Sequence, residues 1–70
     1  MTNQERMIAQ YKEWGYENNH DAILQEQHTI EYDLRHLRGE FTESEIQHYD
    51  DCLLALGFLE APILERMRAA

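Results

Sequence analysis

The segment GEFTESEI, residues 39–46, writes out a helix start almost completely, and it stands between two apolar stripes of helical spacing. Thr42 and Glu45 have the separation of a capping box, in which a hydroxyl and a carboxylate each satisfy a backbone N–H that the first helical turn leaves open. Phe41 precedes the cap and Ile46 takes the fourth helical position, which is the spacing of a hydrophobic staple. Glu43 and Glu45 bring negative charge to the positive end of the helix dipole. Together these features contribute about 1–3 kcal/mol. Gly39, just upstream, tolerates the left-handed backbone on which many helices end. The predicted outcome is a tight antiparallel helical hairpin turning at the Gly39–Thr42 corner.

The flanking stripes define the two rods. Upstream, Ile23, Gln27, Ile30, Leu34, Leu37 and then Phe41 recur at alternating intervals of four and three, a heptad seam with one polar interruption. This predicts a helix over 20–38 that is capped by Asn19 and ends on Arg35 and Arg38, where cations complement the dipole. Downstream, Ile46, Tyr49, Leu53 and Leu56 predict a third helix over 43–56, with Gly57 as its stop and Phe58 folding back on the last turn. Before the hairpin, Thr2 and Glu5 form a second capping box, and a first helix over 3–14 closes at Gly15. After it, Pro62 suits the first turn of a short helix over 62–68; one longer helix kinked near Pro62 is the alternative.

Composition agrees. There is no Val, while Glu, Gln, Leu, Ala and Arg dominate, so side-chain entropy favours helix and disfavours sheet. The expected fold class is all-α, a single domain over 1–70. A chain of 70 residues hides only about 60% of its unfolded surface, and the one cysteine, Cys52, rules out a disulfide framework within the chain. Small domains in this position often gain burial by self-association. The seams assign Ile23, Ile30, Leu34, Leu37, Phe41, Ile46, Tyr49, Leu53 and Leu56 to the core or to a dimer contact. A second copy would also cover Leu24, Leu54, Phe58 and Leu59, giving a four-helix-bundle-like homodimer. A monomer with its first and last helices folded over the hairpin is the rival arrangement.

Fourteen acidic residues against six basic ones give a net charge of −8. That balance argues against direct binding to nucleic-acid phosphates and against attraction to an anionic membrane. No apolar run reaches the ~20 residues that span a bilayer, and the opening MTNQERMIAQ lacks the order of a signal peptide. A cytoplasmic protein is the expectation.

Candidate chemistry is sparse. His48 and Cys52 stand one turn apart and could share a metal ion, but no further ligands stand at motif spacing, so no metal site and no cofactor are expected. His20, His28 and His36 recur every eight residues, which rotates each by about 80° and spreads them over different helix faces. No nucleophile, base and oxyanion group converge, so no catalytic residue is assigned. From Gly39 to Glu65 the chain carries acids and no Lys or Arg. That half can be a solvated face or an electrostatic docking surface. The second face of helix two brings Leu24, His28, Glu31, Tyr32 and Arg35 within about 100°. Tyr and Arg are the side chains that most often anchor protein interfaces. The expected contact residues for a partner protein are therefore His28, Tyr32, Arg35 and Arg38, with Glu43, Asp50 and Asp51.

In size, charge and its capped hairpin LRHLRGEFTESEIQHYDDCLLAL, the chain resembles the small acidic helical proteins with which bacteriophages inhibit host machinery, including anti-CRISPR and anti-quorum-sensing types. The resemblance implies a non-enzymatic inhibitor or regulator that docks on a bacterial host protein, such as a transcription regulator, a motor ATPase or a nuclease complex, in the host cytoplasm. Two alternatives stay open: an acidic mimic of DNA that blocks a nucleic-acid-binding site, and a small metal-linked regulator using His48 and Cys52.

Overall fold

The computed structural model describes residues 2–69. They form three helices and no strand: α1 (Asn3–Glu13), α2 (His20–His36) and α3 (Glu43–Ala69), with a 3-10 turn at Arg38–Glu40. The all-α expectation holds. α3 is the spine. Its 27 residues reach about 40 Å at 1.5 Å per residue, close to the 42 Å long dimension of the molecule. α1 and α2 both pack on it.

Side-chain contacts fix the directions. His20 at the start of α2 meets Glu60 late in α3, with Nε2 2.9 Å from Oε2, while the far end of α2 leads directly into the start of α3. The two helices therefore run in opposite senses. α1 runs alongside α3 in the same sense. Gln4 Nε2 donates to the Asp51 carbonyl at 3.1 Å, and after α1 the Asn18 side-chain oxygen accepts from the Arg66 guanidinium.

The helix starts are those the spacing predicts. Thr42 and Glu45 close a reciprocal box: the Thr42 N–H donates to Glu45 Oε1 at 3.1 Å and the Glu45 N–H donates to Thr42 Oγ1 at 3.2 Å. Thr2 Oγ1 accepts from the Glu5 N–H, and Asn19 Oδ1 from the Ala22 N–H. Gly15 follows α1 with φ of 89°, a backbone that suits glycine. Asn18, with φ of 60°, takes the left-handed conformation that asparagine tolerates best after glycine.

Two expectations about helix ends fail. α2 stops at His36, two residues early, and the chain turns through 3-10 geometry. Gly39 is not left-handed, because the 3-10 turn closes with ordinary right-handed torsions. Phe41 stacks on Tyr49, ring centroids 5.2 Å apart, which carries its anchorage to the second turn of α3. The larger correction concerns α3. Gly57 does not stop it, Phe58 does not fold back, and no separate helix begins at Pro62: both Gly57 and Pro62 lie inside one continuous helix, the alternative that the sequence left open at Pro62. Glycine inside a helix costs roughly 1 kcal/mol and proline about 3. The buried stripe passes straight through both, with Cys52, Ala55, Leu56, Leu59 and Ile63 all in the core. Burial of large aliphatic side chains at about 1.5–3 kcal/mol each outweighs the local cost.

That stripe also shifts the core. Ile23, Ile30 and Leu56 are buried as expected. Leu34, Tyr49 and Leu53 pack partly buried against them, and Phe41 and Ile46 are half-buried. Leu37 is 39% exposed and stands outside the core, because the helix has ended before it. Tyr11, Cys52, Ala55, Leu59 and Ile63 complete the interior instead. The face of α3 turned to α1 needs its own apolar lining, which a two-rod seam does not anticipate. In the aromatic group of α1, Tyr11 is buried and Trp14 sets its ring edge-on to Tyr11 while remaining exposed.

Truncating the fully buried Leu56 to Ala is expected to cost about 2–5 kcal/mol of unfolding free energy in urea titrations at fixed protein concentration. Pro62→Ala is expected to act in the opposite direction, gaining up to about 3 kcal/mol, because it restores an N–H facing the Phe58 carbonyl one turn back.

Candidate functional site

α2 offers the best-defined exposed constellation. Its inward face spends Ile23, Gln27, Ile30 and Leu34 on packing, which leaves the opposite face to solvent. There His28, Glu31, Tyr32, Arg35 and His36 line one shallow depression. Tyr32 is 62% exposed. Its ring centroid lies 4.3 Å from that of His36 with a 42° tilt, one helical turn apart, so the two rings pack against each other. The surface thus combines an aromatic plate, a guanidinium fork, two imidazoles and one carboxylate. Such a set can donate to carbonyls and carboxylates and stack on apolar or planar groups.

Of the expected contact residues, His28, Tyr32 and Arg35 share this depression. Arg38 lies just beyond, exposed in the 3-10 turn. Glu43 and Asp50 are exposed on α3 and do not line it. Asp51 is half-buried and turned to structural use: its Oδ1 accepts from Gln47 Nε2 at 3.1 Å, and its carbonyl accepts from Gln4. His36 is the residue that spacing missed. Rotations of 80° do not separate His28 from His36 in effect, because Tyr32 lies midway between them and all three border the same hollow. The i, i+4 pairing of Tyr32 with His36 was the available signal. His20 alone leaves the group, facing Glu60.

The His48–Cys52 pair exists, with Sγ 3.7 Å from Nε2. Cys52 is buried, and burial foremost, then the nearby Glu26 and Asp51, pushes its thiol up, against a lowering contribution from the Tyr11 hydroxyl. A thiol held protonated is a poor nucleophile and a poor metal ligand. Among the described residues no three His, Cys, Asp or Glu side chains converge as a metal site would require. Around Cys52 a small polar cluster reaches into the core. The Tyr16 hydroxyl donates to Glu26 Oε2 at 2.9 Å. That bond and burial push the Tyr16 phenol up. Burial foremost, then the hydrogen bond with Cys52, raises the Tyr11 phenol further.

No helix among the described residues is long and apolar enough to cross a membrane. Comparison with protein-family models, with curated proteins and with solved structures finds no match to this chain.

Tyr11, Tyr16 and Cys52 all hold their protons more tightly folded than unfolded. A raised native pKa contributes stability that is present below the unfolded value and lost as pH climbs past it. With ordinary values of 10.0 for the phenols and 9.0 for the thiol, the thermal midpoint is expected to fall between about pH 9 and 11, less steeply in Tyr11→Phe. At neutral pH, a chromogenic disulfide reagent is expected to modify Cys52 much more slowly in the native protein than in urea.

Proposed function

We propose that this chain is a non-enzymatic binding protein, a homodimeric helical hairpin that inhibits or regulates another protein by occupying its surface. The outer face of α2 is the contact face. One observation carries this reading: His28, Tyr32, Arg35 and His36 gather around a single hollow on a helix whose other face already satisfies the core. Tyr and Arg are among the side chains on which interfaces concentrate their binding energy. Here the phenol ring already packs against His36, and a side chain that is held in place before binding has less ordering cost to meet.

Charge narrows the kind of partner. A net charge of −8 favours a basic protein surface and speeds encounter with it. Arg35 and Arg38, exposed in and beside the hollow, would find a carboxylate within that surface. A target among bacterial host proteins, in the manner of phage-made inhibitors, fits the size and charge of the chain.

The test is capture from an extract of the native host, followed by binding measurements on the purified captured protein. Tyr32→Ala and Arg35→Glu are each expected to weaken that binding about 30-fold or more, with unfolding free energy unchanged within about 0.5 kcal/mol. Loss of folding together with binding would place these side chains in the structure rather than the interface. A captured partner that duplex DNA displaces, with a steep dependence on salt, would instead favour the acidic-mimic reading.

A further inference from the structure

The outward face of α3 carries a second surface of different chemistry. Leu54 and Phe58 are 64% and 61% exposed, and Asp50, Gly57, Ala61, Leu64 and Arg68 stand exposed beside them. The face is apolar at its centre, with Asp50 towards the start of the helix and Glu65 and then Arg68 at its end. Asp50 and Arg68 are 18 residues apart, which is five turns at 3.6 residues each, so both project in the same direction. Neither takes part in a hydrogen bond or ion pair among the described residues.

We infer that this face of α3 binds a second copy of itself, antiparallel, across a two-fold axis level with Leu59. The inference rests on the homodimer put forward above and names its surface. The charges set the register. With two copies reversed about that point, Asp50 of each chain lies opposite Arg68 of the other, and the two-fold makes the pair twice. The same register then requires that Gly57 face Ala61 of the second copy, and that Leu54 face the second copy's Leu64. The two smallest side chains on the face therefore meet where the helices cross, which lets the backbones approach, and a leucine meets a leucine on either side. A parallel arrangement would instead bring Asp50 against Asp50 and Arg68 against Arg68. The outer face of α2 stays open in this assembly, so each dimer presents two copies of the Tyr32 surface.

The test is sedimentation velocity on the full chain, with helicity followed by circular dichroism. Around Gly57 an added Cβ meets nothing within 4 Å, so Gly57→Leu is accommodated by the protomer and raises helix preference. It is expected to stay folded and sediment as a monomer. Asp50→Arg and Arg68→Asp are each expected to weaken the dimer about tenfold, and combining them is expected to restore it to within a few-fold of the original. A wild-type chain that remains monomeric overturns both this interface and the homodimer. A wild-type dimer indifferent to Gly57→Leu and to both reversals overturns the interface on α3 and leaves the homodimer to another surface. Weakening by each reversal without rescue in the double variant overturns the antiparallel register. None of these outcomes bears on binding through Tyr32, which is read separately.

Discussion

The molecule depends on one buried stripe. Cys52, Ala55, Leu56, Leu59 and Ile63 run down α3 and are covered from two sides, by α1 through Tyr11 and its neighbours and by α2 through Ile23 and Ile30. A domain of this size has little apolar area to spare, and losing any member of the stripe leaves a cavity that a small core cannot refill. The stripe is also why α3 tolerates Gly57 and Pro62. Gly57 points away from the packed face and Pro62 stands exposed at its margin, so the helix loses backbone preference and one hydrogen bond but little burial.

A long spine packed on two sides leaves outward faces on α2 and α3 that differ in kind. The outer face of α2 is polar and aromatic, with rings and guanidinium held near one another by helix geometry. The outer face of α3 is apolar at its centre, with Asp50 near its start and Glu65 and Arg68 near its end. The first suits a foreign partner, since mixed polar and aromatic surfaces stay soluble alone and still bind tightly. The second is the face proposed to meet a copy of itself, with Asp50 of each chain opposite Arg68 of the other.

The polar cluster of Tyr11, Tyr16, Glu26 and Cys52 has a structural reading. Buried polar atoms need partners, and here each finds one within the cluster or at its edge; among the described residues none is left buried without a hydrogen bond. Such a cluster locks α1 in one orientation on α3 more selectively than aliphatic contacts alone, because a rotated α1 would strand the Tyr11 hydroxyl. The price is sensitivity to alkaline conditions, where phenol and thiol ionise.

Much of the local structure was written in the chain. Thr2, Asn19 and Thr42 mark their helix starts unaided, because caps are contacts between neighbours three residues apart and owe nothing to the rest of the fold. The absence of strand among the described residues follows from composition, and helical spacing brings His28, Tyr32 and Arg35 to one face, whereas His36, read as lying on another face, joins them at the same hollow. The end of α3, the burial of Tyr11, Cys52, Leu59 and Ile63, and the exposure of Leu37 were decided by tertiary packing. Gly57 and Pro62 are stop signals only when nothing beyond them is worth burying. α1 lies along α3 in the same sense and offers apolar cover to its second half, and that contact joins residues nearly fifty positions apart. No local pattern can register it, because the energy that carries the helix past its own breakers comes from the other end of the chain.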